Sequence, residues 1–282
     1  MPKSTHKKLS SAKAIESAMA SLPDPNPTGR PAADSIIGVT LPTVAMAAAA
    51  PGAAPVKQYT IIHTNERNEY AEGGTDPSFA ASPAAAAAAP VGDNFEGKDR
   101  RAAKLSVSNA KTENFKDVKD LIKSLAPEGT MKDHKPKIGT GPTSKRVKEE
   151  ERNVHVRAFL YAAKREADND FHLILGRDPK SLPEVYMTME LSGLPPANSP
   201  ASEQLKAARD AFKKFYDDHA GGQLPGSGGY DFPRPPVPVG IDGSLFFDMT
   251  HATGQRPGPK SLKSRMPVIW EVHPITKIKF KP

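Results

Sequence analysis

The chain has 282 residues, with 29 prolines, 21 glycines and 6% aromatic residues, too little apolar area for the whole of it to enter a core. Its 39 Lys and Arg against 32 Asp and Glu give a formal charge of +7 and an isoelectric point near 9.4, a balance that favours polyanionic neighbours such as nucleic acid or an anionic surface. The absence of cysteine excludes disulfides, thiolate zinc sites and cysteine nucleophiles.

The first segment, "MPKSTHKKLSSAKAIESAMASLPDPNP", is basic but no apolar stretch follows it, and Pro23, Pro25 and Pro27 stop a short helix. "IIGVTLPTVAMAAAAPGAAP" is interrupted by Pro42 and is too short to span a bilayer. As an export signal it would need a start further downstream, so the expectation is a cytoplasmic protein without a transmembrane segment. Alanine and proline tracts such as "SFAASPAAAAAAPVG" bury little against the entropy of ordering, and residues 1–97 are expected to be a disordered, low-complexity region. One island inside it, "QYTIIHTNERNEY", has strand-forming residues but no evident partner. Residues 98–148 read as a basic arm. From Lys98 to Glu150 there are 14 Lys and Arg against 8 Asp and Glu, and "NFKDVKDLIKSL" places Phe115, Val118, Leu121, Ile122 and Leu125 at the spacing of one short amphipathic helix.

From residue 149 the punctuation becomes regular. "NVHVRAFLYAAK" alternates, "READND" turns, and "FHLILG" completes a hairpin. "EVYMTMELSG" is a third strand, "NSPASEQLKAARDAFKKFYDD" a helix with Ser199 as cap and Leu205, Ala208, Phe212 and Phe215 as its buried stripe. "VPVGIDGSLFFDM" and "MPVIWEVHPITKIKF" follow as two more strands. The order β-β-β-α-β-β over residues 149–282 predicts an all-β domain with one helix, a five-stranded OB-fold-like barrel. Alternation puts Val154, Val156, Leu160, Phe171, Leu173, Leu175, Met187, Met189, Leu191, Phe212, Val268, Trp270 and Val272 in its core, and the first strand is expected to bend.

The strings "DFHLILG", "YMTMEL", "GSLFFDMTH" and "WEVHPITKIKF" resemble a family of uncharacterised bacterial proteins with DxHL, GxxFFDxxH and ELHPV-like strands. The resemblance covers about residues 149–280. It implies a single OB-fold-like domain of unknown function and brings no assigned reaction.

The chemistry must come from the residues. In "EADNDFHLILG" the two-residue spacing puts Asp170 and His172 on the strand face opposite Phe171, Leu173 and Leu175. By the same alternation Thr188, Glu190, Glu271 and His273 face away from the core, and Asp248 and His251 close the fourth strand. Imidazoles with carboxylates suit zinc or manganese. His172, Glu190, Asp248, His251, Glu271 and His273 are therefore candidate catalytic residues, and His172, Glu190 and His273 candidate metal ligands, of a metal-dependent hydrolase. Against this stands a face that is merely polar and solvated, as antiparallel sheets commonly have, or one locked by cross-strand hydrogen bonds. A second reading is a binding module for single-stranded nucleic acid or another polyanion, with Arg157, Phe159, Tyr161 and Tyr186 offering a cation and rings for stacking. Walker, GxSxG and HExxH motifs are absent.

Overall fold

The computed structural model describes residues 58–66, 92–253 and 256–281. In chain order the elements are β1 (Thr60–His63), α1 (Arg101–Lys104), β2 (Thr112–Phe115), α2 (Val118–Lys123), α3 (Glu128–Lys132), β3 (Asn153–Arg165), β4 (Phe171–Gly176), β5 (Tyr186–Leu191), α4 (Ser202–Ala220), β6 (Asp231–Arg234), β7 (Val237–Phe247), α5 (Lys260–Lys263) and β8 (Trp270–Phe280).

Five strands close a barrel in the predicted order. β3 pairs antiparallel with β4, β4 with β5, β7 with β8, and β3 again with β7. β5 meets β8 in parallel, with Met189↔Val272 as their registered pair. That seam is the thinnest join of the barrel. β3 serves two neighbours because it bends: Asn153–Leu160 pair with β7, Phe159–Arg165 pair with β4, and a bulge lies between Leu160 and Ala162. The extra residue of a bulge shifts the side-chain phase by one. Val154, Val156, Ala158 and Leu160 thus line the main core, Ala163 resumes it, and Ala162 joins a second cluster on the outer face. All thirteen residues predicted for the core are buried within the main cluster.

Helix α4 follows β5 and leads to β6 and β7. Its stripe of Leu205, Ala208, Phe212, Phe215 and Tyr216 is buried, no side chain caps its first turn, and it ends at Gly221, whose φ of 59° is the left-handed stop that glycine tolerates. The helix begins at Ser202, three residues after Ser199, the cap expected from the sequence. Trp270 fills the core beside Phe247 (ring centroids 5.2 Å apart), and its indole N–H donates to the Ala126 carbonyl at 2.9 Å.

Two expectations are corrected. Residues 1–57 and 67–91 lie outside the described residues, but the island within the expected disordered region is strand β1, paired antiparallel with β6 from Thr60↔Arg234 to His63↔Asp231. The partner lies some 170 positions downstream, out of reach of any local pattern, and His63 Nδ1 is 2.7 Å from Asp231 Oδ1. The second correction concerns the basic arm, which is built into the barrel domain. Val118, Leu121, Ile122, Leu125, Met131 and Ile138 belong to the main core, and β2 pairs in parallel with β3. Two of the arm's cations are buried staples. Arg100 is 2% exposed and forks onto Glu150 at 2.6 and 2.7 Å, while also donating to the carbonyls of Phe247 and Lys145. Arg146 donates to the carbonyls of Ala103, Ser106, His273 and Leu245. A guanidinium has five donors in a fixed fork and can satisfy several carbonyls at once.

Residues 92–104 run over the outside of the barrel and leave the outer face of β4 and β5 covered. Phe95 is 3% exposed and lies against Gly193, where a Cβ would stand 2.6 Å from the Phe95 Cα. Asp93 anchors the segment to Arg209 at 3.0 Å and to Lys213. The rest of that face is covered by the second cluster, in which Ala162, Ile174, Tyr186, Tyr230, Phe232, Leu262 and Met266 pack together.

Candidate metal centre

Asp170 immediately precedes β4, Glu190 is on β5 and His273 on β8. Their ligand atoms all lie within 4.8 Å of one another, and all three residues are buried. His172 and Glu190 are register partners across β4 and β5, and His172 Nδ1 bonds Glu190 Oε1 at 3.1 Å. Glu190 and His273 each follow a member of the seam pair Met189↔Val272, so their side chains meet over the seam, with Glu190 Oε2 2.9 Å from His273 Nδ1. Glu271 Oε2 is 3.6 Å from the same nitrogen, and Asp170 Oδ2 is 3.4 Å from His273 Nε2.

The sequence places these groups opposite the core, and the structure does so too. Plain solvation, one of the alternatives for this face, is not what the structure has: Asp170 and His273 are 0% exposed, Glu271 1% and His172 2%, with Lys104 beside Asp170, the Tyr230 ring beside His172 and the Phe246 ring beside His273. Lys104 Nζ reaches 3.5 Å from Asp168 Oδ2 and 3.9 Å from Asp170 Oδ2. Asp248 and His251 do not join the cluster. They pair with each other at 3.3 Å, and Asp248 Oδ1 accepts the Thr250 N–H at 2.8 Å.

The polar atoms are incompletely satisfied. Asp170 Oδ1 accepts the Gly193 N–H at 2.6 Å, but its Oδ2, the Nε2 of His172 and both ring nitrogens of His273 have no aligned hydrogen bond. The close approaches of His273 to Glu190 and Asp170 are out of line with the ring N–H directions, so the fully enclosed imidazole faces carboxylate oxygens without bonding them well. Native interiors rarely leave buried donors and acceptors in this state without strain, a chemical role, or a bound water or ion.

Charge accentuates the mismatch. Asp168, Asp170, Glu166, Glu190 and Glu271 converge on one covered region, against Lys104 and Lys164. Burial, reinforced by Asp168 and Glu190, pushes Asp170 well above the usual carboxylate range, and burial with Glu190 and Asp248 does the same to Glu271. Glu190 takes the opposite course. Burial opposes its charge, but His273, the bond from His172 and the charge of Lys104 together hold it well below the usual range. Burial lowers His273 against the pull of Glu190, in the direction of the neutral imidazole that binds metal. Lys104 is desolvated, but Asp168, Glu190 and Asp170 hold its proton well above the ordinary ammonium value.

Two carboxylates and a neutral imidazole form an oxygen and nitrogen donor set of the kind zinc, manganese and iron(II) take. Of the candidate ligands named from the sequence, Glu190 and His273 belong to this set. His172 instead positions Glu190, and Asp170 takes the third place. Lys104, Glu166 and Asp168 carry no signal of their own in the sequence, since Lys104 is one of 14 cations in its stretch and the two carboxylates stand in a turn.

The rings expected to stack bases are placed differently. Tyr186 is 2% exposed. Its ring packs edge-on against Tyr161 (centroids 4.8 Å apart) and lies under the Arg265 guanidinium, and Tyr161 donates to the Arg177 carbonyl at 2.8 Å. The burial of Tyr186 corrects its assignment to an outward platform, and Tyr161 is half-buried. Arg157 is exposed and Phe159 half-buried on the outer side of β3. Comparison with protein-family models, with characterised proteins and with solved structures returns no match.

Proposed function

We propose that this chain is a divalent-cation-binding barrel protein, with the ion held by Asp170, Glu190 and His273 across the seam between β5 and β8. The observation that supports the reading most directly is the fully buried His273, whose two ring nitrogens face carboxylate oxygens of Asp170 and Glu190 without an aligned hydrogen bond. A bound ion would take the place of the protons that burial holds on these carboxylates and tie together strands that share few backbone bonds. A transition metal there would also act as a Lewis acid, the chemistry a hydrolase reading needs. A hydrolytic metal, however, keeps an open position toward its substrate, and the enclosure of all three ligands favours an ion that holds structure over one that turns over substrate.

The test is calorimetric. After treatment with a chelator, the full chain should take up about one equivalent of zinc or manganese and melt at a higher temperature, by the linkage of ligand binding to folding. Glu190→Gln should lose both effects. Equal melting curves with and without either metal, together with no retained metal after desalting, would refute the proposal.

A further inference from the structure

A second cluster of polar side chains lies across β2, β3, β7 and β8 and does not rest on the metal centre. Strand register brings four polar residues into one row across four strands: Asn114 of β2 opposite His155 of β3, His155 opposite Asp242 of β7, and Asp242 opposite Lys277 of β8. The next row runs from Arg157 through Gly240 to Lys279. Lys277, Lys279 and Lys281 alternate with buried or half-buried residues, and all three are exposed, as is Arg157. Among the described residues, Arg157, Lys277 and Lys279 have no carboxylate partner. Asp242 is engaged by His155 Nδ1.

From strand geometry, Arg157 and Lys279 are ~10 Å apart across the sheet, and the two rows are ~7 Å apart along it. Beside the first row opens a cleft of about 720 Å³, lined by Thr112, Asn114, Gln204, Thr276 and the His155–Asp242 pair among others. Asn153 builds its wall, since its amide donates to the carbonyls of Ser108 and Ala110 and its oxygen accepts from Ser244. The amides of Asn114 and Gln204 are exposed, and each carries both donor and acceptor.

We infer that this face binds a nucleotide unit, free or within a single strand. Its phosphates lie on Arg157, Lys277 and Lys279, and its base edge meets the amides and hydroxyls of the cleft. Cations without partners suit phosphate, amides suit the mixed donors and acceptors of a base, and Phe159, two residues along β3 from Arg157, adds a ring. Sugars or neutral solutes would not need the row of cations.

Fluorescence anisotropy of labelled single-stranded oligonucleotides on the full chain provides the test. Binding at low salt should weaken at least tenfold in Lys277→Glu/Lys279→Glu, whose melting temperature should match the parent because both side chains are exposed. The slope of log K against log salt should fall by about 1.4, at roughly 0.7 for each phosphate that is no longer neutralised. Asn114→Ala/Gln204→Ala should alter the ranking of the four homopolymers while leaving the salt slope intact. Competition by a mononucleotide at equal nucleotide concentration would identify the free nucleotide as occupant, and failure to compete would identify the strand. No binding at low salt, or binding unchanged by the lysine reversals, would overturn the inference. An unaltered homopolymer ranking in the amide variant would overturn the role of the cleft.

Discussion

Glu150→Gln tests whether the basic arm is part of the barrel. In the parent, the Glu150 carboxylate receives the Arg100 fork at 2.6 and 2.7 Å and accepts the backbone N–H groups of Phe247 and Val147, both at 2.8 Å. Glu150 is 0% and Arg100 2% exposed. The amide removes the charge and one acceptor but keeps the volume, so the guanidinium stays buried without a counter-charge, with one amide oxygen and the carbonyls of Phe247 and Lys145 as its acceptors. Breaking one side of a buried pair costs about 3–5 kcal/mol. At about 2–4 °C per kcal/mol for a domain of this size, the melting temperature should fall by about 6–20 °C. Differential scanning calorimetry on both proteins at equal ionic strength measures it. Replacing both members together, Arg100→Met with Glu150→Leu, should recover most of the loss, because no charge is then left unpaired. A fall below about 3 °C for Glu150→Gln, or a double variant as unstable as the single, would show that the pair is not a staple.

Tyr186→Ala should cost about 3–5 kcal/mol in urea unfolding, as expected for deleting a buried ring. His172→Ala should cost about 1–3 kcal/mol, since Glu190 loses a buried bond, while metal uptake persists. Loss of uptake would make His172 a ligand. Metal affinity should rise with pH, with proton release detectable by calorimetry in buffers of different ionisation enthalpy, because Asp170 must give up a proton that burial holds. Burial raises Asp231 from 3.8 to about 6, against the pull of His63. The native state therefore binds more protons than the unfolded chain in that window, and the contribution present below 3.8 is lost as pH rises through about 6, by up to about 3 kcal/mol. Asp231→Asn should remove that slope in a pH series of melting temperatures.

Much of the barrel is legible from alternation and turns alone. Each of its strands carries a period-two apolar set, and the helix between the third and fourth carries a 3.6 period, so local pattern and topology agree. The site is half legible. Alternation separates Asp170, His172, Glu190, Glu271 and His273 from the core, but it says only that they point away from it. Whether that direction is solvent depends on what lies beside these groups, and Lys104 at Asp170 and Tyr230 at His172 come from stretches that carry no periodicity pointing to the site. Tyr186 escapes a local reading for the same reason, its cover arriving from Tyr230 and Met266. β1 escapes it because its partner is distant in sequence. The alternating lysines of "ITKIKFKP" are plain in the sequence, yet their significance depends on lying in register with Arg157, which needs the closed barrel.

The pairing of β1 has a consequence for how the chain responds to cutting. Along the chain β1 is separated from the next described residues by 67–91, and it lies at the end of the strand order beside β6. If the chain were severed between Glu66 and Gly92, the strand would be held by four register pairs, the bond between His63 and Asp231, the bonds of Thr64 and Glu66 to Tyr230 and Ser261, and the side chain of Tyr59. Such a nicked molecule is a receptor for an added strand: an exogenous peptide with the sequence "QYTIIHTNE" could exchange into the groove, or the vacated β6 edge could accept an extended segment from another protein by strand addition.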